Sequence, residues 1–376
     1  MHELRVGVFC PTFNVYAGGE FVAAVIANTL AQNSHDVTLF TNEKVNQWEV
    51  KKFFGKSLNP SIKAIVQPSY IQPRGLLDFY QSIFRSYILK SKCDLWIDVY
   101  SCRIFPWTNI NYIHFPFLNH YIYKPRFPYI KSPHLLPIGG LPYTFFEKNL
   151  INPNRKLIIA NSNYTAEEIK KNSGKKPPIL YPPVPSVMFD NNPENLTKNQ
   201  RKNLVVTISR FDPSKGLEKI PYIASLTDKN VQFAIIGRVH YKKTLFSLQK
   251  LTKELGLIDR VHLFTDISRL EMKKILKNAK IYLHTRVGEH FGISVVEAMA
   301  MGCVPIIHDS GGTKEFVPSN FRYRTIYEAA AKITKELSGW STRKAIEWAK
   351  TADKFKEENF SKDFMQLFNQ YTDQNF

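Results

Sequence analysis

The sequence predicts an α/β protein of two doubly wound domains, and three observations carry that prediction. The chain has 376 residues, which is too long for a single hydrophobic core of ordinary size. Short apolar runs alternate with longer stretches of helical periodicity, which is the pattern of a parallel sheet with helices on both faces. The alternation breaks once, in a segment rich in proline, asparagine and charge at residues 181–203, and then restarts.

Five apolar runs before the break predict the strands of the first sheet. They are residues 4–10, 35–41, 94–100, 110–115 and 156–162. Five more after the break predict a second sheet. They are residues 204–211, 231–238, 261–266, 279–285 and 304–309. We therefore expect a first domain over residues 1–183, a linker over 184–203 and a second domain over 204–357. We expect a C-terminal helix at about 358–376 to pack back on the first domain.

Composition narrows the classes of partner. Lysine and arginine number 51 against 32 acidic residues, a net charge of +19. Such a surplus favours polyanions: nucleic acid, anionic lipid headgroups or phosphorylated small molecules. The four cysteines lie far apart, which predicts reduced thiols and no zinc site. No apolar run reaches the roughly 20 residues that span a bilayer, and the N-terminus reads as a strand, not a signal peptide.

The stretch VGEHFGISVVEAMAMGC, residues 287–303, holds two carboxylates in an otherwise apolar segment. Glu289 precedes a predicted helix and Glu297 lies about one turn inside it. A buried carboxylate is costly unless something pairs with it or binds it. Gly292 would let the backbone approach a ligand, and a helix N-terminus favours an anion or oxygen ligand. The pattern suits a sugar's hydroxyl groups. The alternative is a capping carboxylate and a solvated glutamate.

A second motif, ISRFDPSKG at residues 208–216, follows the first strand of the second domain. Arg210 and Lys215 flank a turn at Asp212–Pro213–Ser214. Two cations on one loop at a strand's carboxyl end suit a diphosphate, since arginine offers a fork and lysine a point charge. A solvated basic turn is the alternative.

Smaller signals lie in the first domain. Gly18 and Gly19, between a strand and a helix, resemble a phosphate cradle, although a structural glycine turn is as good an explanation. His114 ends a predicted strand, where a lone histidine is more often structural. Thr165 and Glu168 form a T-x-x-E pattern that predicts a capping box.

Residues 105–146 carry twelve aromatic residues and seven prolines, with Lys124, Arg126 and Lys131 interleaved. This composition fits a stacking surface for single-stranded nucleic acid. It also fits an interfacial patch, with aromatics at headgroup depth and cations on anionic lipid. A proline-rich loop that packs on its own domain is the third interpretation.

Taken together and in this order, the motifs resemble those of the retaining GT-B glycosyltransferases of family 4. The resemblance rests on E-x7-E, here Glu289 to Glu297, and on the SRF-x-x-x-KG loop with Arg210 and Lys215. The stretches GEHFG, YIHFP, ANSNYT, YPPV and AGGE are similar to those of the GDP-mannose-dependent α-1,2-mannosyltransferases of lipid-linked oligosaccharide assembly. The resemblance implies a GT-B fold, in which two Rossmann-like domains face each other across a cleft.

The resemblance also implies roles for the second-domain residues. Arg210 and Lys215 would hold the donor diphosphate and stabilise the charge that builds on it, usually the largest catalytic term. Glu289 would hold the transferred sugar's hydroxyls, and Glu297 the nucleotide ribose. The other residues implied in donor binding are His290 and the backbone of Phe291, Gly292 and Ile293.

In the first domain, the resemblance implies that Gly18 and Gly19 let the N-terminal loop close on the phosphates and acceptor. His114 would lie near the reaction centre and is counted, with Glu289, Arg210 and Lys215, among the catalytic candidates. Residues 105–146 would serve a lipid-linked acceptor at an anionic membrane surface. The expected place is the cytoplasmic face of a membrane, with the protein peripheral to it.

The predicted activity is retaining transfer of a hexose, with mannose favoured, from a nucleotide-diphosphate donor to a lipid-linked glycan. A glucosyl- or other hexosyltransferase that uses a UDP-sugar stays open, as does a GT-B sugar-nucleotide epimerase or phosphorylase. We expect no cofactor and no metal, because no Asp-x-Asp motif follows a strand. A nucleic-acid-binding module would leave Glu289 and Glu297 unexplained, so no nucleic-acid partner is expected.

Overall fold

Two six-stranded parallel sheets organise the chain, in agreement with the predicted fold class. The computed structural model describes residues 3–66, 84, 90–100, 108–116, 156–189 and 201–376. The chain divides into two units. The first contains Met1–Pro182 and Phe360–Phe376, and the second contains Pro183–Asn359.

The first sheet has the strand order β3-β2-β1-β4-β5-β6. Its strands are β1 (Arg5–Phe9), β2 (Asp36–Thr41), β3 (Lys63–Val66), β4 (Leu95–Asp98), β5 (Ile110–Ile113) and β6 (Leu157–Ala160). The five predicted runs all form strands. The edge strand β3 was not predicted, because it has only four residues and its apolar run is three residues long. Parallel pairing places every strand's carboxyl end at one edge of the sheet.

Four helices with described bounds accompany the first sheet. They are α1 (Gly18–Gln32), α2 (Gln47–Phe54), α3 (Asn163–Ser173) and α10 (Glu357–Asn375), the last of which belongs to the first unit from Phe360 onward. The central helix α1 is buried all round, with ten consecutive buried residues from Phe21 to Leu30. The C-terminal helix places Phe360, Phe364 and Phe368 in the same hydrophobic core, at the four-residue spacing of one helix face.

The second sheet has the order β12-β11-β10-β7-β8-β9. Read from the other end, this is the strand order of the first sheet, so the two sheets share one topology. Its strands are β7 (Lys202–Ile208), β8 (Gln232–Gly237), β9 (Val261–Thr265), β10 (Ala279–His284), β11 (Val304–His308) and β12 (Arg322–Tyr323). Its helices are α4 (Lys219–Ser225), α5 (Lys242–Glu254), α6 (Arg269–Asn278), α7 (Ile293–Ala300), α8 (Ile326–Ser338) and α9 (Thr342–Ala352). In both units the strands follow the Rossmann order, in which ligands bind beyond the carboxyl ends.

Three sequence-based expectations concern the aromatic region, the start of α3 and the absence of a membrane-spanning helix. Of the aromatic region 105–146, only residues 108–116 lie within the described residues, so the predicted membrane patch falls outside them. The predicted capping box at Thr165 is wrong, because α3 begins at Asn163 and its N-cap is Ser162, whose side chain accepts from the Thr165 N–H. Among the helices that the structure describes, none is both long and apolar enough to cross a bilayer.

Candidate active site

Two loops of the second unit meet where the adjacent strands β7 and β10 end. The loop after β7 carries Arg210 and Lys215, and the loop after β10 carries Glu289. Thr285 donates a hydrogen bond of 2.8 Å from its hydroxyl to the Lys215 carbonyl, which joins the two loops. Gly216 has φ +66°, a conformation that suits glycine, and ends the basic turn. The pairing of the strands therefore brings together two motifs that are more than 70 residues apart in sequence.

The Glu289 segment is fixed by a third loop, the one after β11. The Gly312 N–H donates to the Glu289 carbonyl at 2.7 Å, and the Gly288 N–H donates to the Ser310 hydroxyl at the same distance. Gly311 has φ +80°, and a Cβ there would lie 2.1 Å from the Glu289 carbonyl oxygen. Only glycine fits such a position, so the sequence SGG after β11 is a structural requirement of the Glu289 loop.

The Glu289 carboxylate is surrounded by cationic side chains. It lies 3.3 Å from Lys215 Nζ and 3.2 Å from Arg286 Nη1, with the Glu289 side chain 11% exposed. His284 Nε2 also lies 3.3 Å away. Burial alone would raise the pKa of the Glu289 carboxyl, but Arg286, Lys215 and His284 hold it well below its usual range. Glu289 is thus ionised and paired, and it does not cap α7, whose N-cap is Gly292.

The Lys215 and Arg210 side chains differ in their interactions with neighbouring groups. Burial, together with Arg286 and Arg210, lowers the pKa of Lys215 from 10.5 to about 8, while Glu289 opposes this shift. The Arg210 side chain is half-buried and makes no hydrogen bond or ion pair within the described part of the chain. Asp212 anchors the turn between them by accepting from the Ser214 N–H at 2.8 Å. The turn therefore holds a surplus of positive charge with an unpaired guanidinium.

Glu297 lies on α7 and is buried, with its side chain 4% exposed. Arg269, on α6, donates to its Oε1 atom. The other carboxylate oxygen, Oε2, makes no hydrogen bond to any residue that the structure describes. The solvated-glutamate interpretation is therefore wrong for this side chain, which is a buried acceptor with one oxygen unused.

Gly292 begins α7 in a left-handed conformation, with φ +95°. A Cβ at this position would lie 2.6 Å from Thr313 Cγ2, so the backbone passes closer to its neighbour than any side chain permits. Ile293 is the first residue of α7, and the neighbouring Phe291 is buried against Phe316 and Phe355. His290 lies between Glu289 and Phe291 in sequence. Its backbone N–H donates a hydrogen bond to Glu289 Oε1 at 3.1 Å.

A separate group of predicted residues meets within the first unit. His114 Nε2 lies 3.0 Å from the Val99 carbonyl, so the ring donates this bond from Nε2. A Cβ on Gly19 would lie 3.0 Å from the same nitrogen, which places the glycine loop directly against the imidazole. Burial lowers the pKa of His114 to about 4, although the Val99 bond opposes the shift. Gly18 and Gly19 open α1 without positive φ, so space and not conformation favours glycine at position 19.

Sequence reasoning missed three side chains of the second-unit site. Arg286 follows β10 and pairs with Glu289, and its spacing of three residues from that acid was a visible signal. His284 is the last residue of β10 and reads in sequence as part of an apolar strand. Arg269 lies 28 residues before Glu297 on another helix, and no sequence pattern joins them.

The chain resembles known proteins in both sequence and fold. Residues 188–358 match the family model described as "Glycosyl transferases group 1". The fold is GT-B: a sucrose-phosphate synthase from Thermosynechococcus elongatus is 14% identical, covers 99% of this chain and 100% of its own, and has a TM-score of 0.77. A glycosyltransferase from Rickettsia africae is 17% identical, covers 99% of both chains and has a TM-score of 0.71. The residues matched by the family model lie within the second unit, Pro183–Asn359.

Curated relatives are more specific. A Dictyostelium discoideum protein named GDP-Man:Man(3)GlcNAc(2)-PP-Dol alpha-1,2-mannosyltransferase is 30% identical over 250 residues, which are 59% of this chain and 49% of that protein. The mouse protein of the same name is 32% identical over 182 residues, 45% of this chain and 37% of its own. The chain spans about half the length of such relatives or less. These findings confirm the resemblance stated from the motifs.

Proposed function

We propose that this protein is a retaining hexosyltransferase that moves mannose from GDP-mannose to a lipid-linked glycan. The sugar and the nucleotide are supported by the names of its relatives, which are GDP-mannose-dependent α-1,2-mannosyltransferases. The acceptor is proposed on the same ground, as a glycan carried on a lipid through a diphosphate. The proposed place is the cytoplasmic face of a membrane, with the basic aromatic region 105–146 against anionic lipid.

The observation that carries the proposal is the Arg210 guanidinium, which has no partner among the described residues, on the same turn as the partly buried Lys215. When the bond between a sugar and a nucleoside diphosphate breaks, negative charge accumulates on the departing phosphate. Prearranged cations in a site shielded from water stabilise this charge without reorganising. Arg210 offers a bidentate fork and Lys215 a point charge, on one turn that Asp212 holds rigid. The protein can supply this stabilisation with its own side chains, and metal independence stays a prediction.

Glu289 would serve the sugar. Its carboxylate is ionised, and as an acceptor it suits the hydroxyl groups of a hexose. The N–H groups at the start of α7, near Gly292 and Ile293, have no acceptors within the helix and point towards its N-terminus. Carboxylate and amides together would fix the orientation of the sugar as the diphosphate departs. Glu297 Oε2 is the acceptor that we assign to a ribose hydroxyl, because Arg269 already occupies Oε1.

The direct test removes Lys215 and Glu289 separately. Lys215→Ala and Glu289→Ala should each lower transfer of labelled mannose to a lipid-linked acceptor by about 10²–10³-fold, as removal of one such electrostatic group does elsewhere. Lys250→Ala and Glu254→Ala are matched controls, since they form an exposed pair at 3.7 Å on α5. All four variants should keep the circular dichroism of the wild type. Normal turnover in both site variants would contradict the assignment.

The donor and the reaction class are tested with the wild type. GDP and GDP-mannose should raise the thermal midpoint more than UDP and UDP-glucose at equal concentration, because a ligand stabilises the state that binds it. An acceptor-free incubation separates transfer from epimerisation, since an epimerase would convert the nucleotide sugar without any acceptor. Stabilisation by UDP alone would replace mannose with another hexose and leave the site assignment in place.

A further inference from the structure

A basic and aromatic surface lies on the first unit, around α2 and the edge strand β3, and shares no residue with the sites described above. Helix α2 buries Val50, Phe53 and Phe54 and turns its opposite face outwards. Trp48, on that outer face, is 66% exposed. Tryptophan combines a large apolar ring with a polar N–H, which suits a site where one end of the side chain is apolar and the other is in water.

A groove lies in the same region, lined by the segment that leads into α2, by Gln47 at the start of α2 and by residues up to the edge strand β3. Its volume is about 360 Å³, within the range of small-molecule sites. Five of its seven lining residues are apolar. The lining residues are Lys44, Val45, Gln47, Leu58, Ile62, Ala64 and Val66. The groove therefore suits an apolar chain, with a cation at one side of it.

Lysines frame this surface. Residues 43–56 contain four lysines, at positions 44, 51, 52 and 56, against two glutamates. Lys52 Nζ lies 5.3 Å from the Trp48 ring centroid and 4.9 Å from that of Phe53, so this cation rests on the aromatic faces. Lys63, by contrast, is paired with Asp36 at 2.9 Å and adds no net charge. Lys44 thus lines the groove, and Lys52 lies on the exposed tryptophan.

We propose that this α2 surface docks the protein on an anionic phospholipid bilayer. Trp48 would sit at headgroup depth, where its ring has one apolar body and one polar N–H. Lys44, Lys51 and Lys52 would contact anionic headgroups, and the groove would accept an apolar segment of a lipid chain. An oligonucleotide also satisfies lysines and an aromatic ring, but its bases bind by stacking on aromatic faces, and the groove is lined by aliphatic side chains. The proposal does not depend on the reaction that the protein catalyses.

This surface differs from the one predicted at residues 105–146, which lies mostly outside the described residues. The two predictions separate experimentally because they name different side chains. Substitutions at Trp48, Lys51 and Lys52 probe the α2 surface, and Lys124→Gln with Arg126→Gln probes the other.

The test measures binding of the full chain to vesicles by flotation. Vesicles of phosphatidylcholine alone are compared with vesicles that also contain phosphatidylserine. Wild type should bind the anionic vesicles and not the neutral ones. Trp48→Ala, and separately Lys51→Gln with Lys52→Gln, should each lower the partition coefficient about tenfold or more, given the contribution of each lysine near an anionic surface. Trp48 emission should shift to shorter wavelength on these vesicles, read as the difference between wild type and Trp48→Phe.

A matched control lies on α5, where Phe246 is 61% exposed and Lys250 is 77% exposed. Phe246→Ala with Lys250→Gln should leave vesicle binding within about twofold of wild type, since these residues lie on another surface. An equal loss in this control would overturn the proposal, as would a loss confined to the Lys124 and Arg126 variant. Tight oligonucleotide binding that the α2 substitutions abolish, with no vesicle binding, would also overturn it.

A transfer assay separates vesicle binding from the proposed transferase activity. With a short-chain acceptor that needs no membrane, the α2 variants should transfer sugar at the wild-type rate. Normal vesicle binding without any transfer would contradict the function and leave the surface standing. Normal transfer without any vesicle binding would do the reverse.

Discussion

The two sheets have the same strand order, yet two described clusters at their carboxyl edges, one around Glu289 and one around His114, differ in charge. In the second unit, Lys215 and Arg286 pair with the ionised Glu289, and Arg210 lies close enough to Lys215 to help lower the pKa of that lysine. In the first unit, the glycine loop rests against His114, whose low pKa keeps the imidazole neutral. The shared topology determines where a ligand can bind, and the side chains determine its chemistry. The charged edge of the second sheet suits a diphosphate, and the neutral contact between His114 and Gly19 suits close packing against an uncharged group.

The largest expected effect tests whether the cations of the charged edge act together. Arg210→Ala and Lys215→Ala should each lower kcat/KM for transfer by about 10²–10³-fold. The double variant should lose less than the product of the two, because groups that stabilise one developing charge are not additive. Steady-state kinetics with a saturating acceptor measures all three. Strictly multiplicative losses would mean that the two cations act at separate places.

The next effect is a pH dependence of the same edge. Lys215 is charged below its pKa of about 8, which lies under its ordinary 10.5, so its charge is lost as pH rises through 8. The value of kcat/KM should therefore fall above pH 8, by about tenfold per pH unit. Bound diphosphate favours the charged lysine, so the fall in kcat should occur at higher pH.

Lys215→Arg gives the control for this profile, because arginine keeps its charge throughout the range. Its residual kcat/KM should stay level from pH 7 to pH 9.5, an interval chosen to span the expected change at about pH 8. A fall that persists in Lys215→Arg would assign the titration to a different group.

A structural prediction concerns the loop that supports Glu289. Gly311→Ala forces a Cβ to 2.1 Å from the Glu289 carbonyl oxygen at φ +80°. We expect it to lower the free energy of unfolding by about 2 kcal/mol or more and to weaken donor binding. Gly256→Ala is the matched control, since its φ is +66° and nothing lies within 4 Å of the added Cβ. It should lose about 1 kcal/mol and bind the donor normally. Equal effects on donor binding would show that the SGG loop does not position Glu289.

The smallest expected effect concerns the contact between Gly19 and His114. Alanine is favoured over glycine in a helix by about 1 kcal/mol, but at position 19 its Cβ would meet His114 Nε2. Gly19→Ala should therefore destabilise the wild type and stabilise His114→Ala, with a coupling of about 1 kcal/mol or more in urea unfolding. The same effect in both backgrounds would mean that glycine is not selected by the imidazole.

Much of this architecture could be predicted from sequence, and the omissions have physical causes. Buried strands announce themselves as apolar runs, so all ten predicted strands are present. The edge strand β3 is mostly exposed and its apolar run is only three residues long, and β12 has only two residues. Arg210, Lys215 and Glu289 were found because their motifs follow strands. That Lys215 contacts Glu289 depends on the adjacency of β7 and β10, which no local pattern reveals.

Other partners were out of reach of the motifs. Arg269 reaches Glu297 from a neighbouring helix, and Gly19 reaches His114 across the first sheet's edge. The α3 cap was misplaced by three residues because Thr165 and Ser162 both follow the strand, and only the geometry shows which one accepts the helix N–H. Thr165 instead donates its hydroxyl to the His114 carbonyl at 3.2 Å.

The most direct measurement is calorimetric binding of GDP and GMP to the wild type and to the Arg210→Ala, Lys215→Ala double variant. If the cations hold the diphosphate, wild type should prefer GDP over GMP by about tenfold or more, since a charge-assisted contact contributes about 1.5–3 kcal/mol. The double variant should bind the two nucleotides alike. An unchanged preference in the double variant would contradict the account, because the second phosphate would then be held by other groups.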